Sequence, residues 1–164
     1  MNRKGFTLIE LLAVIVLLGL ILTFSVPKIS NAYKESKLKS ESMFLNELSK
    51  SIDSYITLNS DTISFDTQIT ATKTEGSQNF SVTVAKGEIS VNDIINDQII
   101  SETDYINPGN KDIKCNKNDK IIEVYKDSDY VYCHKIKKAA LNCLTEEFKS
   151  SIASEYAIDT CIWK

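Results

Sequence analysis

The sequence predicts an α+β fold: a long N-terminal helix whose apolar first half projects and whose second half packs on an antiparallel β-sheet head. Three observations carry this. Apolar residues run from Leu8 to Val26 with Glu10 as their only charge. Apolar positions then recur at mostly three- and four-residue steps as far as Ile56, the period of a helix face. Beyond Asn59-Ser60-Asp61 the pattern changes to period two, with short Thr-, Ile- and Val-rich runs separated by turn residues.

Residues 6–26 make 21 positions, about 31 Å of helix and enough to span a bilayer. Gly19 lies inside this segment and Pro27 closes it. Glycine weakens a helix by about 1 kcal/mol relative to alanine, and proline removes one donor and crowds the carbonyl of Thr23. The helix is expected over about 7–57, kinked near Pro27. Its stripe is thin from Tyr33 to Met43 and strengthens through Phe44, Leu48, Ile52, Tyr55 and Ile56. Only that later half is expected to pack on a domain.

Thr67–Lys73 reads as a strand. Phe80, Val82 and Val84 alternate with Ser81 and Thr83 as a half-buried second strand, with Gly87 marking a turn before Ile89-Ser90-Val91. Residues 93–100 fit a short helix with Asn92 as its cap, or else a strand. Asn107-Pro108-Gly109-Asn110 is the strongest turn signal. Residues 121–125 and 130–133 read as a hairpin turning near Asp127-Ser128. Thr145 is expected to cap a helix reaching Tyr156, with Phe148, Ile152 and Tyr156 on one face. The organisation expected is a leader over 1–5, a hydrophobic helix over 6–27, and a head over 28–164 that includes the second half of the long helix.

Four cysteines, Cys115, Cys133, Cys143 and Cys161, lie in the final third. Outside the cytoplasm an even set in a small domain is a disulfide set, and four cysteines allow three connectivities. Pairing in order, Cys115 with Cys133 and Cys143 with Cys161, closes two equal loops; the other connectivities stay open. Zinc on these thiolates with His134 is a weaker alternative, because no C-x-x-C spacing is present. No cofactor is expected. Nor is catalysis: His134 is the only histidine, no hydrolase, metalloprotease or phosphate-loop motif occurs, and adjacent Cys133 and His134 would face opposite sides of a strand. The charge of −3 gives no basic surface suited to nucleic acid. Eighteen lysines against the single Arg3 point to a low-GC genome, and through it to a Gram-positive bacterium.

Glu10 is the unusual residue. A carboxylate carried into hydrocarbon is expensive unless it finds a partner, and a cut after Gly5 would create one by freeing the amine of Phe6. The basic residues Arg3 and Lys4 followed by Gly5, Phe6, Thr7, Leu8, Ile9 and Glu10 resemble the leader and cleavage site of type IV prepilins. That resemblance covers about the first thirty residues. It implies cleavage between Gly5 and Phe6 by a prepilin peptidase, N-methylation of Phe6, and pairing of Glu10, beside Thr7, with the amino terminus of a neighbouring subunit. It also implies loss of helix between Gly19 and Pro27 in an extensible filament, and a disulfide-bounded surface loop near the C-terminus, although that loop commonly has two cysteines. The partners implied are other pilin subunits, the peptidase, the pilus assembly machinery, and a membrane before assembly. The locations implied are the cytoplasmic membrane and then a surface fimbrium active in cell adhesion or motility. A secretory signal peptide fits poorly, because Glu10 interrupts its core and no small-residue cleavage site follows. A plain single-pass anchor explains the length but not the acid; a secretion or DNA-uptake pseudopilin and a non-polymerising extracellular binding module are the rival functions.

Overall fold

The computed structural model describes residues 7–75 and 77–163. The chain divides into two compact units, 1–39 and 40–164. One helix, α1 (Leu8–Asn59), supplies most of the first unit and opens the second. All 14 large apolar side chains between Leu8 and Val26 are exposed. That is far more continuous bare hydrocarbon than a water-soluble surface carries. Among the described residues, this is the one helix long and apolar enough to cross a membrane.

In the second unit the three- and four-residue spacing of Leu45, Leu48, Ile52, Tyr55 and Ile56 puts these side chains on one face of α1, and all five are buried. They belong to the same buried core as Ile89, Ile122, Val124 and Ile136 of the sheet. The sheet is an antiparallel meander in the order β1 (Thr67–Glu75), β2 (Gln78–Ile89), β3 (Ile122–Lys126), β4 (Tyr132–Lys137), β5 (Tyr156–Asp159). Register sets Ile69 opposite Val84, Ile89 opposite Ile122, and Val124 opposite His134. Alternation gives the sheet a second buried face, where Ala71, Val84, Tyr125 and Cys133 meet Trp163. The C-terminal segment after β5 reaches the opposite edge of the sheet, since Trp163 bridges Lys73 of β1.

Several expectations are corrected. Gly87 does not mark a turn: β2 runs through it to Ile89. A Cβ there would lie 2.6 Å from the Ser64 carbonyl oxygen and 3.0 Å from Ile63, so the residue is small because 63–65 pass against the strand. The helix α2 spans Val91–Asn96 and is capped by Ser90 rather than Asn92. Ser90 and Asp93 form a reciprocal capping box. Thr145 does cap α3, but α3 spans only Glu146–Ser151. Ile152 has extended backbone, and Tyr156 enters β5, a strand that the helical spacing of Phe148, Ile152 and Tyr156 concealed. The 107–110 turn forms around the buried Asn107, whose Oδ1 accepts from the Gly109 and Asn110 amides at 2.7 Å each, while its Nδ2 donates to the Cys143 carbonyl.

Candidate functional site

The N-terminal end of α1 gathers two of the residues singled out in the sequence. Thr7 precedes the first helical turn and Glu10 completes it. The Thr7 amide and hydroxyl each donate to Glu10 Oε2 at 2.8 Å, and the Glu10 amide donates back to Thr7 Oγ1 at 3.3 Å. This is a reciprocal cap that satisfies two amides otherwise lacking helical partners. It also holds the carboxylate at the first turn, where the helix dipole favours negative charge. Gly5 and Phe6, the expected cleavage junction, lie outside the described residues.

Further along, the Thr23 hydroxyl donates to the Gly19 carbonyl at 2.8 Å, and a Cβ added at Gly19 would meet nothing within 4 Å. With no amide hydrogen on Pro27, the Thr23 carbonyl loses its usual donor four residues on. The helix therefore lacks one backbone bond between Thr23 and Pro27, although α1 continues through it.

The head is fastened to its part of α1 by two polar clamps, each built on one buried side chain, that the sequence pattern did not reveal. His134, 0% exposed, points from β4 toward the helix; its Nε2 lies 2.9 Å from Ser49 Oγ and its Nδ1 3.0 Å from Asp53 Oδ1. The carboxylate can only accept, so Nδ1 carries hydrogen, and in the neutral ring Nε2 accepts from the Ser49 hydroxyl. Burial pulls the imidazole below its ordinary value, opposed by the Asp53 charge. Glu41 is also 0% exposed; its two oxygens accept from the Thr145 amide at 3.1 Å and hydroxyl at 2.8 Å. The only sequence signals were positional: Glu41 stands in line with Leu45, Leu48 and Ile52, and Ser49 and Asp53 sit one helical turn apart.

Cys133 and His134 face opposite sides of β4. Cys133 lies with Tyr125 and Trp163 and pairs with Cys161; Cys115 pairs with Cys143. The in-order pairing is corrected to an interleaved one. The sheet register explains it: Cys133 stands opposite Tyr125 on the face that the C-terminal segment covers, so Cys161 is the sulfur delivered to it. No cysteine is free, and the thiolates that zinc would need are taken up in the bridges.

On the same face Glu123 is buried, receiving Lys86 Nζ at 2.7 Å, Lys137 Nζ at 2.8 Å and Tyr125 Oη at 2.7 Å. Burial alone would push its carboxyl up, but these three donors hold it down at about 2. Lys86 also reaches Glu88 at 3.4 Å, so it neutralises two glutamates that stand directly opposite in the ladder.

Residues 1–26 match the family model described as the prokaryotic N-terminal methylation motif, the class III signal of type IV pilins. No curated protein and no solved structure gives a match.

Proposed function

We propose that this chain is a structural subunit of a type IV pilus or pilus-like filament. The methylation motif and the apolar N-terminal helix together fit a type IV pilin-like protein, a structural class and not an enzyme class. The observation that carries the reading is Glu10, one carboxylate at the head of an otherwise apolar, wholly exposed membrane-length helix.

The precursor inserts with Arg3 and Lys4 in the cytoplasm, a peptidase cuts after Gly5, and Phe6 is methylated on its new amine. Before assembly the Thr7 donors keep the Glu10 carboxylate occupied within its own chain. During assembly the Phe6 ammonium of a neighbouring subunit competes for it, in surroundings where opposite charges attract far more strongly than in water. Side-by-side packing of the Leu8–Val26 helices replaces lipid contacts, so the charge pair fixes register more than it drives association. Weak helical bonding between Gly19 and Pro27 gives the filament a segment that can extend. The heads, locked by two disulfides, coat the outside and carry adhesive or motility-related contacts. The Gram-positive source inferred from lysine usage gains no support from the fold or the family match.

The test is a Glu10→Ala chain expressed beside the wild type. The variant is expected to be inserted and cut after Gly5 yet excluded from sheared surface filaments. Normal incorporation would remove the charge-pairing role, and absence of the wild-type chain from any filament would favour a membrane-anchored binding module.

A further inference from the structure

Positive charge in this molecule is concentrated just past the membrane-length segment. Within 28–39 stand Lys28, Lys34, Lys37 and Lys39 against the single acid Glu35, whereas 40–164 holds 20 acidic residues and 13 lysines. Among the described residues none of these four lysines makes an ion pair. Among the described residues of the head Lys86, Lys117, Lys135, Lys137 and Lys149 do, whereas Lys50, Lys111, Lys114 and Lys120 do not.

Their placement is physically costly in the proposed orientation. Lysines beside a span favour the cytoplasmic side, yet four lie on the far side and only Arg3 and Lys4 on the near one. At about 1.5 Å per residue, Lys28 begins roughly 3 Å beyond Val26 and Lys34 about 12 Å; Lys37 and Lys39 are about 17 and 20 Å away. Lysine stems extend toward an interface, and screening reaches about 8 Å at physiological salt. Lys28 and Lys34 are therefore within reach of a headgroup layer, and the outer pair less so. At about 100° per residue, Lys28 and Lys39 share one side of the helix while Lys34 and Lys37 lie on the other. A partner protein would meet one face of the helix. A lipid annulus surrounds it.

We infer that Lys28, Lys34, Lys37 and Lys39 form a collar that gathers anionic phospholipid headgroups around the unassembled subunit on the external face of its membrane. This rests on the membrane-inserted reading of residues 8–26. The collar lets the subunit keep an otherwise unfavourable charge distribution while it waits in the bilayer, and it must exchange lipid phosphates for other surroundings when the helix leaves.

The full chain is reconstituted in nanodiscs of phosphatidylcholine containing some phosphatidylglycerol, and spin-labelled forms of both lipids report which is motionally restricted by the protein. A preference of several fold for phosphatidylglycerol is expected, weakening as salt is raised. The Lys28→Gln/Lys34→Gln/Lys37→Gln/Lys39→Gln chain should retain only the share due to Arg3 and Lys4, which it keeps. Lys28→Gln/Lys34→Gln alone should remove more of the preference than Lys37→Gln/Lys39→Gln. An unchanged preference in the fourfold variant overturns the inference. So does salt-sensitive pairing of wild-type chains in pure phosphatidylcholine that the variant lacks, which would assign the lysines to the acidic head of a second copy. A chain that fails to enter the discs at all would instead overturn the membrane reading, and this inference with it.

Discussion

His134 and Ser49, 85 residues apart in the chain, meet at 2.9 Å across the seam between β4 and α1. The same ring reaches Asp53 one helical turn away, so one side chain fixes the rotation of the helix on the sheet. Replacing His134 by alanine is expected to destabilise the head by about 1–3 kcal/mol, because a packed, doubly bonded ring is lost. The pH dependence has a definite sign. Burial lowers the folded-state value below 6.5, with Asp53 and Asp159 opposing. The unfolded chain therefore binds the extra proton first, and stability is complete above about pH 6.5 and lost as pH falls below it. Unfolding temperatures of the detergent-solubilised protein between about pH 8 and pH 5 should show this slope, and His134→Asn should lack it.

Glu123 gives a second, lower window. Its carboxyl sits at about 2 in the folded chain against 4.5 ordinarily. The stabilisation is present above about pH 4.5 and disappears as pH falls toward 2, on the order of 3 kcal/mol in total. Glu123→Gln should flatten that acid limb and, at neutral pH, destabilise the head by leaving Lys137 without a carboxylate and Lys86 with only Glu88 at 3.4 Å. Denaturation followed by near-ultraviolet circular dichroism across the window measures both effects.

Gly87 is expected to tolerate no side chain. Gly87→Ala should lower stability by about 1–3 kcal/mol, since its Cβ would meet the Ser64 carbonyl and backbone must shift. Ala85→Gly, on the same strand, serves as the comparison, because it removes a side chain instead of adding one. Equal stability of Gly87→Ala and the wild type would contradict the close approach.

Each bridge closes a separation of 28 residues, worth about 3–4 kcal/mol in the chain-entropy account. Non-reduced proteolysis should yield linked peptides containing Cys115 with Cys143, and Cys133 with Cys161. Reduction should expose the C-terminal segment around Trp163 to protease before the rest of the sheet. Linked peptides joining Cys115 to Cys133 would contradict the register described.

What could be read from the residues divides by range of interaction. The helix, its end at Asn59, the alternating strand through Phe80, Val82 and Val84, the β3–β4 hairpin and the Thr145 cap all depend on neighbours within a few positions, and they appear where the local pattern put them. Gly87, Tyr156 and the cysteine pairing depend on what arrives from elsewhere. The 63–65 segment crowds Gly87, the β4 edge draws Tyr156 into a strand, and the C-terminal crossing delivers Cys161 to Cys133. At the candidate site, Thr7 and Glu10 were singled out through the prepilin resemblance, and the cap that joins them, though they lie only three residues apart, was not read from the sequence. The contacts of His134 and Glu41 were not legible, because their partners Ser49 and Thr145 lie 85 and 104 residues away.

The most direct measurement is the mass and sequence of the amino terminus of the protein recovered from cells. A chain beginning at Phe6 and heavier by one methyl group on its amine is the result expected for a processed filament subunit. An intact Met1, or a terminus created at any other bond, would contradict it.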